Sequence, residues 1–572
     1  MSDYSAPLAD IRFVLEQVAD LAGLAELEGY EHADPATVGG VLEEAARFFE
    51  EQFAPLNRVG DVQHSRRNED GSVTTPDGFG KAYRRYVEAG WPAVQFPAEY
   101  GGGGFPWLVG IAMQEMMTAA NMAFSLCPLL TQGAIDMLVH YGDEAQRETY
   151  LPKMVSGEWT GTMNLTEPQA GSDVGALTTR AVPAGDGTWR ITGQKIFITY
   201  GEHDLADNIV HLVLARVPDA PPGTKGISCF IVPKYLLDDD GALGERNAVE
   251  CVSIEDKMGI NASPTCVMAY EDAVGYLIGE PNEGMRYMFR MMNTARLSVG
   301  LEGLAVGDRA FQQAAAYANE RVQGRPVGVP AKGAGTSTIV EHADVRRMLL
   351  TMRAYLEALR CVLYLNAESI DLARAHPDEA VRVARGELVD VLTPISKGWG
   401  TDLGVELTSL AVQVHGGMGF VEETGVAQHY RDIRIAPIYE GTNGIQAIDL
   451  VGRKLGLRDG GVIADFVAGI DATASEATAA GDELAELGER LAEANGSFRQ
   501  ATDWLRECGA DDPNGALAGA TPYLRMAGTV TGGWLLTRSA LAAAELLRAG
   551  DLGGFTNEFL EQKLVTARFY AR

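Results

Sequence analysis

Three short stretches of this chain combine small residues with hydrogen-bonding side chains, the composition of loops that hold a polar ligand. The first is Leu165–Thr166–Glu167–Pro168–Gln169–Ala170–Gly171–Ser172–Asp173. Its hydroxyls and open backbone suit a polar planar ring or a phosphate. The second is Gln413–Val414–His415–Gly416–Gly417–Met418–Gly419–Phe420. The third runs Ile438–Tyr439–Glu440–Gly441–Thr442–Asn443–Gly444–Ile445–Gln446 and sets one carboxylate between an aromatic residue and a turn of small polar ones. Taken singly, each also reads as a structural turn. Other chemistries lack their residues. There is no GxxxxGK[ST] for a P-loop, and no GxSxG to accompany the His415–Gly416–Gly417 run as a nucleophile elbow. No GxGxxG follows a strand and opens a helix, no HExxH occurs, and the nine histidines do not cluster at ligand spacing. No metal site is expected.

The elements that must position these stretches follow from periodicity. Residues 1–160 read mainly as helix, with apolar residues every three to four positions over 36–55 and 77–90. The run Gly101–Gly102–Gly103–Gly104 breaks that pattern as a loop, and the four methionines of 113–124 read as core packing on a helix-like stretch. Residues 161–283 change texture. The segments 208–217, 226–234 and 264–279 are β-branched and apolar between Pro and Gly, and 188–201 alternates around an expected turn at Gly193. Helical periodicity returns over 284–321, 345–375 and 380–415, long enough for bundle helices. After a loop-like 456–461, a further helical block fills 456–572, with its clearest helices at 480–494 and 534–549. The expected parts are therefore 1–160, 161–283, 284–455 and 456–572.

Charge and composition narrow the partners. The 572 residues carry 47 basic and 78 acidic side chains, a net charge of −31 that argues against nucleic acid. The 456–572 block holds 17 acidic and 10 basic side chains, a net of −7, so the acidity is spread along the chain. No run of about 18 uncharged apolar residues predicts a membrane span. The N-terminus lacks a secretory pattern, and the six scattered cysteines form no CxxC. Reduced thiols in a cytoplasmic protein are expected.

Order and spacing give the three stretches a joint meaning. A helical half, TEPxAGSD, a β domain with KxFIT, a second helical half, QxxGGxGF and then YEGTxxIQ together resemble the acyl-CoA dehydrogenase family of flavoproteins over residues 40–455. The start of the chain, the 422–455 segment and the added helical block resemble a larger bacterial subgroup that handles 3-(methylthio)propionyl-CoA. The resemblance implies a mainly α fold with a central β domain: an N-terminal helical domain, a β-barrel-like middle domain, a C-terminal four-helix bundle and an appended helical domain. It implies FAD as cofactor and α,β-dehydrogenation of an acyl-CoA to the trans-2-enoyl-CoA, with hydride passing to flavin N5.

Residue by residue, Glu440 falls on the catalytic glutamate of YEGT. Burial beside an acyl chain would raise its pKa toward that of a useful base for the weakly acidic α proton. The backbone N–H of Glu440 and a flavin hydroxyl would stabilise the thioester oxygen. Some relatives carry the base on the helix opening the bundle; the matching residue here is Ala295, which cannot serve. Flavin contacts carry over to Leu165, Thr166, Gly171, Ser172, Phe197 and Thr199, then to Arg321, Gln323, Gln413, Gly416, Gly417, Thr442 and Gly444. Arg321 would bind the FAD pyrophosphate of a neighbouring subunit. Phe197 replaces a common Trp, Gly324 a common Phe and Gly444 a common Gln. Substrate contacts carry over to Ser172, Asn293, Arg296, Tyr439 and Gly441. The expected partners are an acyl-CoA, an electron-transfer flavoprotein and a second copy of the chain as a homodimer, with the 456–572 block covering the face a tetramer would use. An acyl-CoA oxidase, broad-specificity long-chain use, a flavin-holding DNA-binding relative and an inactive scaffold are the alternatives. The acidity argues against the third and Glu440 against the fourth.

Overall fold

A computed structural model describes residues 4–238, 240–328 and 336–572. The chain divides into two compact units that cut across its sequential blocks. One comprises 1–50, 106–119 and 296–572; the other comprises 51–105 and 120–295.

The second unit is built on a seven-stranded sheet. Its strands run in the order Trp159–Asn164, Asn208–Ala215, Ser228–Pro233, Thr265–Leu277, Trp189–Thr199 and Arg180–Pro183, with Val249–Ile254 also paired to Thr265–Leu277. Only the first pair is parallel. Ala181 donates to the Arg216 carbonyl at 2.8 Å, and Arg216 donates to that of Thr179 at 2.9 Å. These bonds bring the last strand against the end of the second, so the sheet curls toward a barrel. The β-branched runs fill its interior: Ile191, Val213, Phe230, Val232 and Ala273 are fully buried. The expected turn at Gly193 does not form. Gly193 lies inside the continuous Trp189–Thr199 strand, opposite Tyr270. Glycine is required there by close approach, since a Cβ would lie 2.4 Å from Thr179 Oγ1. Helix Met122–Tyr141, capped by the Asn121 side chain, is long and apolar enough to cross a membrane, with mean hydropathy 1.4. It is instead a core helix, because 94% of that window is buried within the molecule.

The first unit is helical. Residues 296–320 of helix Gly284–Glu320, with helices Ala343–Ala375 and Glu379–His415, form its bundle, and Gly461–Ala480, Asp482–Asp511, Ala520–Ala549 and Asn557–Tyr570 pack in the same unit. Gly481 separates two helices where the sequence suggests one over 480–494. The bundle's decisive feature is a glycine crossing. A Cβ on Gly300 would meet the Ser396 carbonyl at 2.4 Å, and one on Gly303 would meet that of Gly400 at 2.0 Å. The Gly284–Glu320 and Glu379–His415 backbones can touch only because both lack side chains there. This draws Glu302, between the two glycines, toward Lys397. On the other side of the second helix, Trp399 fills a notch on Ala520–Ala549, where a Cβ on Gly528 would fall 2.2 Å from its ring. The C-terminal block is thus seated directly on the helix that carries Lys397.

Candidate active site

The Glu440 turn joins helix Val426–Ile433 to helix Asn443–Gly452. Glu440 and Gly441 both take left-handed conformations, with φ of +54° and +80°. For a glutamate this costs on the order of 1 kcal/mol, and such strain persists only where neighbours enforce it. The enforcement is visible on both flanks. The Tyr439 hydroxyl donates to Glu302 Oε2. Lys397 Nζ donates to Asn443 Oδ1 at 2.9 Å, and Asn443 Nδ2 donates to the Gly398 carbonyl at 3.0 Å and Asp402 Oδ1 at 2.7 Å. Gln446 Nε2 reaches back to the Gly441 carbonyl at 3.2 Å. Thr442 caps the following helix, its hydroxyl accepting from the Ile445 N–H at 3.2 Å. That gives Thr442 a structural task in addition to the flavin contact expected of it.

The electrostatics of the turn differ from those of an ordinary ion pair. Among the described residues, neither the Glu440 carboxylate nor its backbone N–H is engaged in a hydrogen bond. Burial pushes the Glu440 pKa up from 4.5 to about 7, against the lowering pull of Arg296 and Lys397. Arg296, on the Gly284–Glu320 helix, is itself 7% exposed, and burial lowers its pKa. Glu302 is fully buried and pushed up to about 8 by burial, and its Oε1 has no hydrogen-bond partner among the described residues. Burial brings Lys397 down to about 7, although Glu440, Glu302 and Asp402 favour its charged form. Three titratable groups are therefore poised near neutrality around one strained turn, the pattern of a proton-transfer site. Ala295, 2% exposed, offers no competing carboxylate.

Sequence reasoning brings Arg296, Tyr439, Glu440, Gly441, Thr442 and Gly444 to this turn and misses Glu302, Lys397 and Asn443. The detectable signal was a lone charge in an apolar helical run, in LSVGLEGLAV and VLTPISKGWG. Gly444 is exposed on the first turn of its helix. Asn293 is exposed on the Gly284–Glu320 helix, one turn before Arg296.

A second set of predicted residues forms an exposed patch in the helical unit. Tyr317 and His415 stack with ring centroids 4.3 Å apart, tying together the ends of the Gly284–Glu320 and Glu379–His415 helices. Arg321 and Gln323 follow the first end, and Gln413, Gly416 and Gly417 lie at the second; all five are exposed. Gly416 has φ +61°, with open space where a Cβ would point. Phe420 beside them is 87% exposed.

The third set lies in the β unit. The pairing of Trp189–Thr199 with Thr265–Leu277 shifts register between Cys266 and Met268, leaving a bulge at Ile196–Phe197. Phe197 takes φ +59° there and turns outward, 58% exposed. The Ile196 N–H donates to the Thr166 carbonyl at 2.9 Å, so the bulge and the Leu165–Asp173 loop are joined, with Thr199 half-buried nearby along the strand. Gly171 and Ser172 are exposed on that loop. Buried Glu167 anchors it from below. It accepts from Thr179 N at 3.0 Å, Thr178 N at 2.7 Å and Lys195 Nζ at 2.8 Å, while Lys195 also donates to the Leu165 carbonyl at 3.0 Å. Burial alone would raise the Glu167 pKa, but Lys195 and these donors hold it down at about 2. A bare aromatic face forced outward beside loop hydroxyls fits the edge and face of a flavin ring.

Family models match nearly the whole chain: "Acyl-CoA dehydrogenase, N-terminal domain" over 40–158, the middle domain over 162–273, the C-terminal domain over 282–455, and "Acetyl-CoA dehydrogenase C-terminal like" over 464–572. The chain belongs to the acyl-CoA dehydrogenase family. It is 49% identical over 571 residues to the 3-methylmercaptopropionyl-CoA dehydrogenase of Ruegeria pomeroyi, covering 100% of this chain and 95% of that one. It is 35% identical over 591 residues to a broad-specificity linear acyl-CoA dehydrogenase of Mycobacterium tuberculosis, covering 100% and 95%. The crystal structure of an acyl-CoA dehydrogenase complexed with FAD from Bacillus anthracis shares the fold, with TM-score 0.72 and 22% identity over 94% of this chain and 85% of that one. This acyl-CoA dehydrogenase is an FAD-dependent oxidoreductase acting on an acyl-CoA. Of the residues expected to contact FAD, Thr166, Phe197 and Thr199 lie in the β unit and Arg321, Gln413, Gly416 and Gly417 in the helical unit.

Proposed function

We propose that this acyl-CoA dehydrogenase oxidises 3-(methylthio)propionyl-CoA to its trans-2-enoyl thioester with Glu440 as the base. The observation that carries the reading is the Glu440 carboxylate itself: half-buried, held on a strained turn, without a hydrogen-bond donor among the described residues, and titrating at about 7. A base with that pKa is about half ionised at neutral pH and strong enough to receive a carbon-bound proton once the thioester oxygen is stabilised. The Glu440 N–H, which has no backbone acceptor among the described residues, is the donor this chain supplies to that oxygen. The Arg296 guanidinium favours the carboxylate form before reaction. FAD, when bound, supplies the acceptor for the hydride leaving Cβ. Tyr439 and Gly441 fix the carboxylate's direction through the bonds that hold the turn. The choice of acyl group rests on the 49% identity to the Ruegeria enzyme over the full chain.

The exposed patch around Phe420, Gly416 and Arg321 supports a homodimer in which one protomer completes the other's FAD site. Reduction then passes to an electron-transfer flavoprotein. Six free cysteines, five of them buried, accord with a reducing cytoplasm.

The test is flavin bleaching under anaerobic conditions with a panel of acyl-CoAs. The sulfur-containing substrate should bleach fastest. Equal rates across linear acyl groups would instead favour the broad specificity of the mycobacterial relative. Glu440→Gln should keep yellow, FAD-loaded protein and slow bleaching by about a hundredfold or more; a rate like that of the parent would end the assignment of the base. Fast reoxidation of reduced enzyme by oxygen would replace the dehydrogenase with an oxidase.

A further inference from the structure

The reaction needs Glu440 as a carboxylate in a place that resists charge, and Arg296 is the only cation at the turn that the sequence motifs point to. The structure supplies a second. Lys397 rises from the Glu379–His415 helix at the level where the glycine crossing lets the Gly284–Glu320 backbone come into contact. Its ammonium is bound to Asn443 Oδ1 at 2.9 Å, three residues beyond Glu440. It is fully buried, a position a lysine rarely occupies without a charged partner. Yet it forms no salt bridge: its only hydrogen bond among the described residues is to the neutral amide of Asn443. Its charge is answered through space by Glu440 first, then by Glu302 and Asp402.

We propose that Lys397 is a positioning residue for the dehydrogenation, holding the Glu440 turn through Asn443 and keeping the Glu440 carboxyl ionised with its buried charge. The inference rests on the reading of Glu440 as base. The groups that share this field are few. Arg296 and Glu302 face it from the Gly284–Glu320 helix, Lys397 and Asp402 from Glu379–His415, and Asp449 and the following Arg453 from Asn443–Gly452 and its C-terminal end. Arg525, on Ala520–Ala549, acts on Asp402 from behind. Asp449 and Arg453 are paired with each other at 3.1 Å. Glu302 is tied to Tyr439 and, by titrating at about 8, stays largely protonated while Glu440 ionises. Arg296 and Lys397 are left as the two charges that lower the Glu440 pKa. Removing the ammonium must therefore raise it.

The experiment is the pH profile of flavin reduction in single turnover, on purified holoenzyme with its best acyl-CoA. In the parent, the rate falls on the acid side as Glu440 takes up its proton. In Lys397→Met this limb should move up by about one pH unit, about tenfold slower reduction at any pH on the limb. Lys397→Arg, permanently charged, should return the limb to the parent position or below it. A purely structural lysine would lower the rate at all pH values and leave the limb where it was. If Lys397→Met fails to hold FAD, Lys397→Gln, which keeps a donor for Asn443 without the charge, carries the same expectation. A limb unmoved in the neutral variant, or moved equally in the arginine variant, overturns the proposal. Failure of the base assignment is a separate result, seen as Glu440→Gln reducing its flavin at the parent rate.

Discussion

The helical unit contains two clusters of buried charge, and they are built on opposite rules. Around Arg360, carboxylates meet cations directly. Arg360 Nε and Nη2 bind Glu115 Oε1 at 3.0 and 2.7 Å, and Tyr364 donates to Glu115 Oε2 at 2.7 Å. Arg353 reaches Asp10 at 2.7 Å and also bonds Glu357, while Lys563 bridges Asp10 and Glu357. The members come from helix Leu8–Gln17, the 107–120 segment, the bundle and the terminal Asn557–Tyr570 helix, so the network ties the beginning, middle and end of the unit together. Burial acts against the Asp10 charge, but Lys563, Arg353 and Arg360 overcome it and hold its carboxyl well below the usual range. Burial nonetheless raises the pKa of Glu115 and Asp308 beside Arg360, as it raises that of Glu440; what sets Glu440 apart is that its cations act without a hydrogen bond to the carboxylate. A buried carboxylate bonded to its cation serves as an anchor. One denied that bond keeps a lone pair free to accept a proton.

Three measurements probe that contrast. The largest effect is expected from Arg360→Met, which leaves Glu115 and Asp308 buried without their cation. Urea unfolding should show a loss of about 3–5 kcal/mol. Glu440→Gln should do the reverse and stabilise the protein, in a pH-dependent way. Below pH 4.5 the carboxyl is protonated in both folded and unfolded chains. Between 4.5 and about 7 the unfolded chain is ionised while the folded one keeps its proton, so parent stability falls with rising pH and levels off above about 7. The glutamine variant escapes this loss. Its advantage should reach about 1–3 kcal/mol near pH 8 and vanish toward pH 4.5, read from Tm across pH. No such gain would mean that Glu440 is better solvated than its surroundings imply. The smallest effect is expected from Arg572→Gln. Its pair with Glu486, at 3.1 Å, has side chains 59% and 44% exposed. The urea midpoint should stay at the parent value, showing that burial rather than pairing sets the scale.

Much of the fold was legible because its signals are local. The β-branched runs became strands, and the long amphipathic runs became bundle helices within a few residues of their expected limits. Glu440 was legible because a turn packs its chemistry into nine consecutive residues. Glu302 and Lys397 were not, since they lie 95 residues apart and meet only through a helix crossing that depends on backbone contact at four glycines, Gly300, Gly303, Gly400 and Gly404. A period-3.6 pattern records which face is apolar, not that two helices have no side chains between them. Gly193 misled for a related reason. Glycine permits turns, but here a neighbouring threonine needed the room.

The notch on Ala520–Ala549 that receives Trp399 bears on how the molecule could be shortened. A chain ended near residue 455 would leave that indole and the neighbouring Gly398 face, now covered by Leu524, open to water on the reverse of the helix that carries Lys397. It would also strand Asp10 and Glu357 without Lys563. The shorter product would present a sticky surface and leave Arg353 to hold both acids without Lys563. The last hundred or so residues are therefore inseparable from the reaction chamber in any trimming, shuffling or domain-exchange scheme.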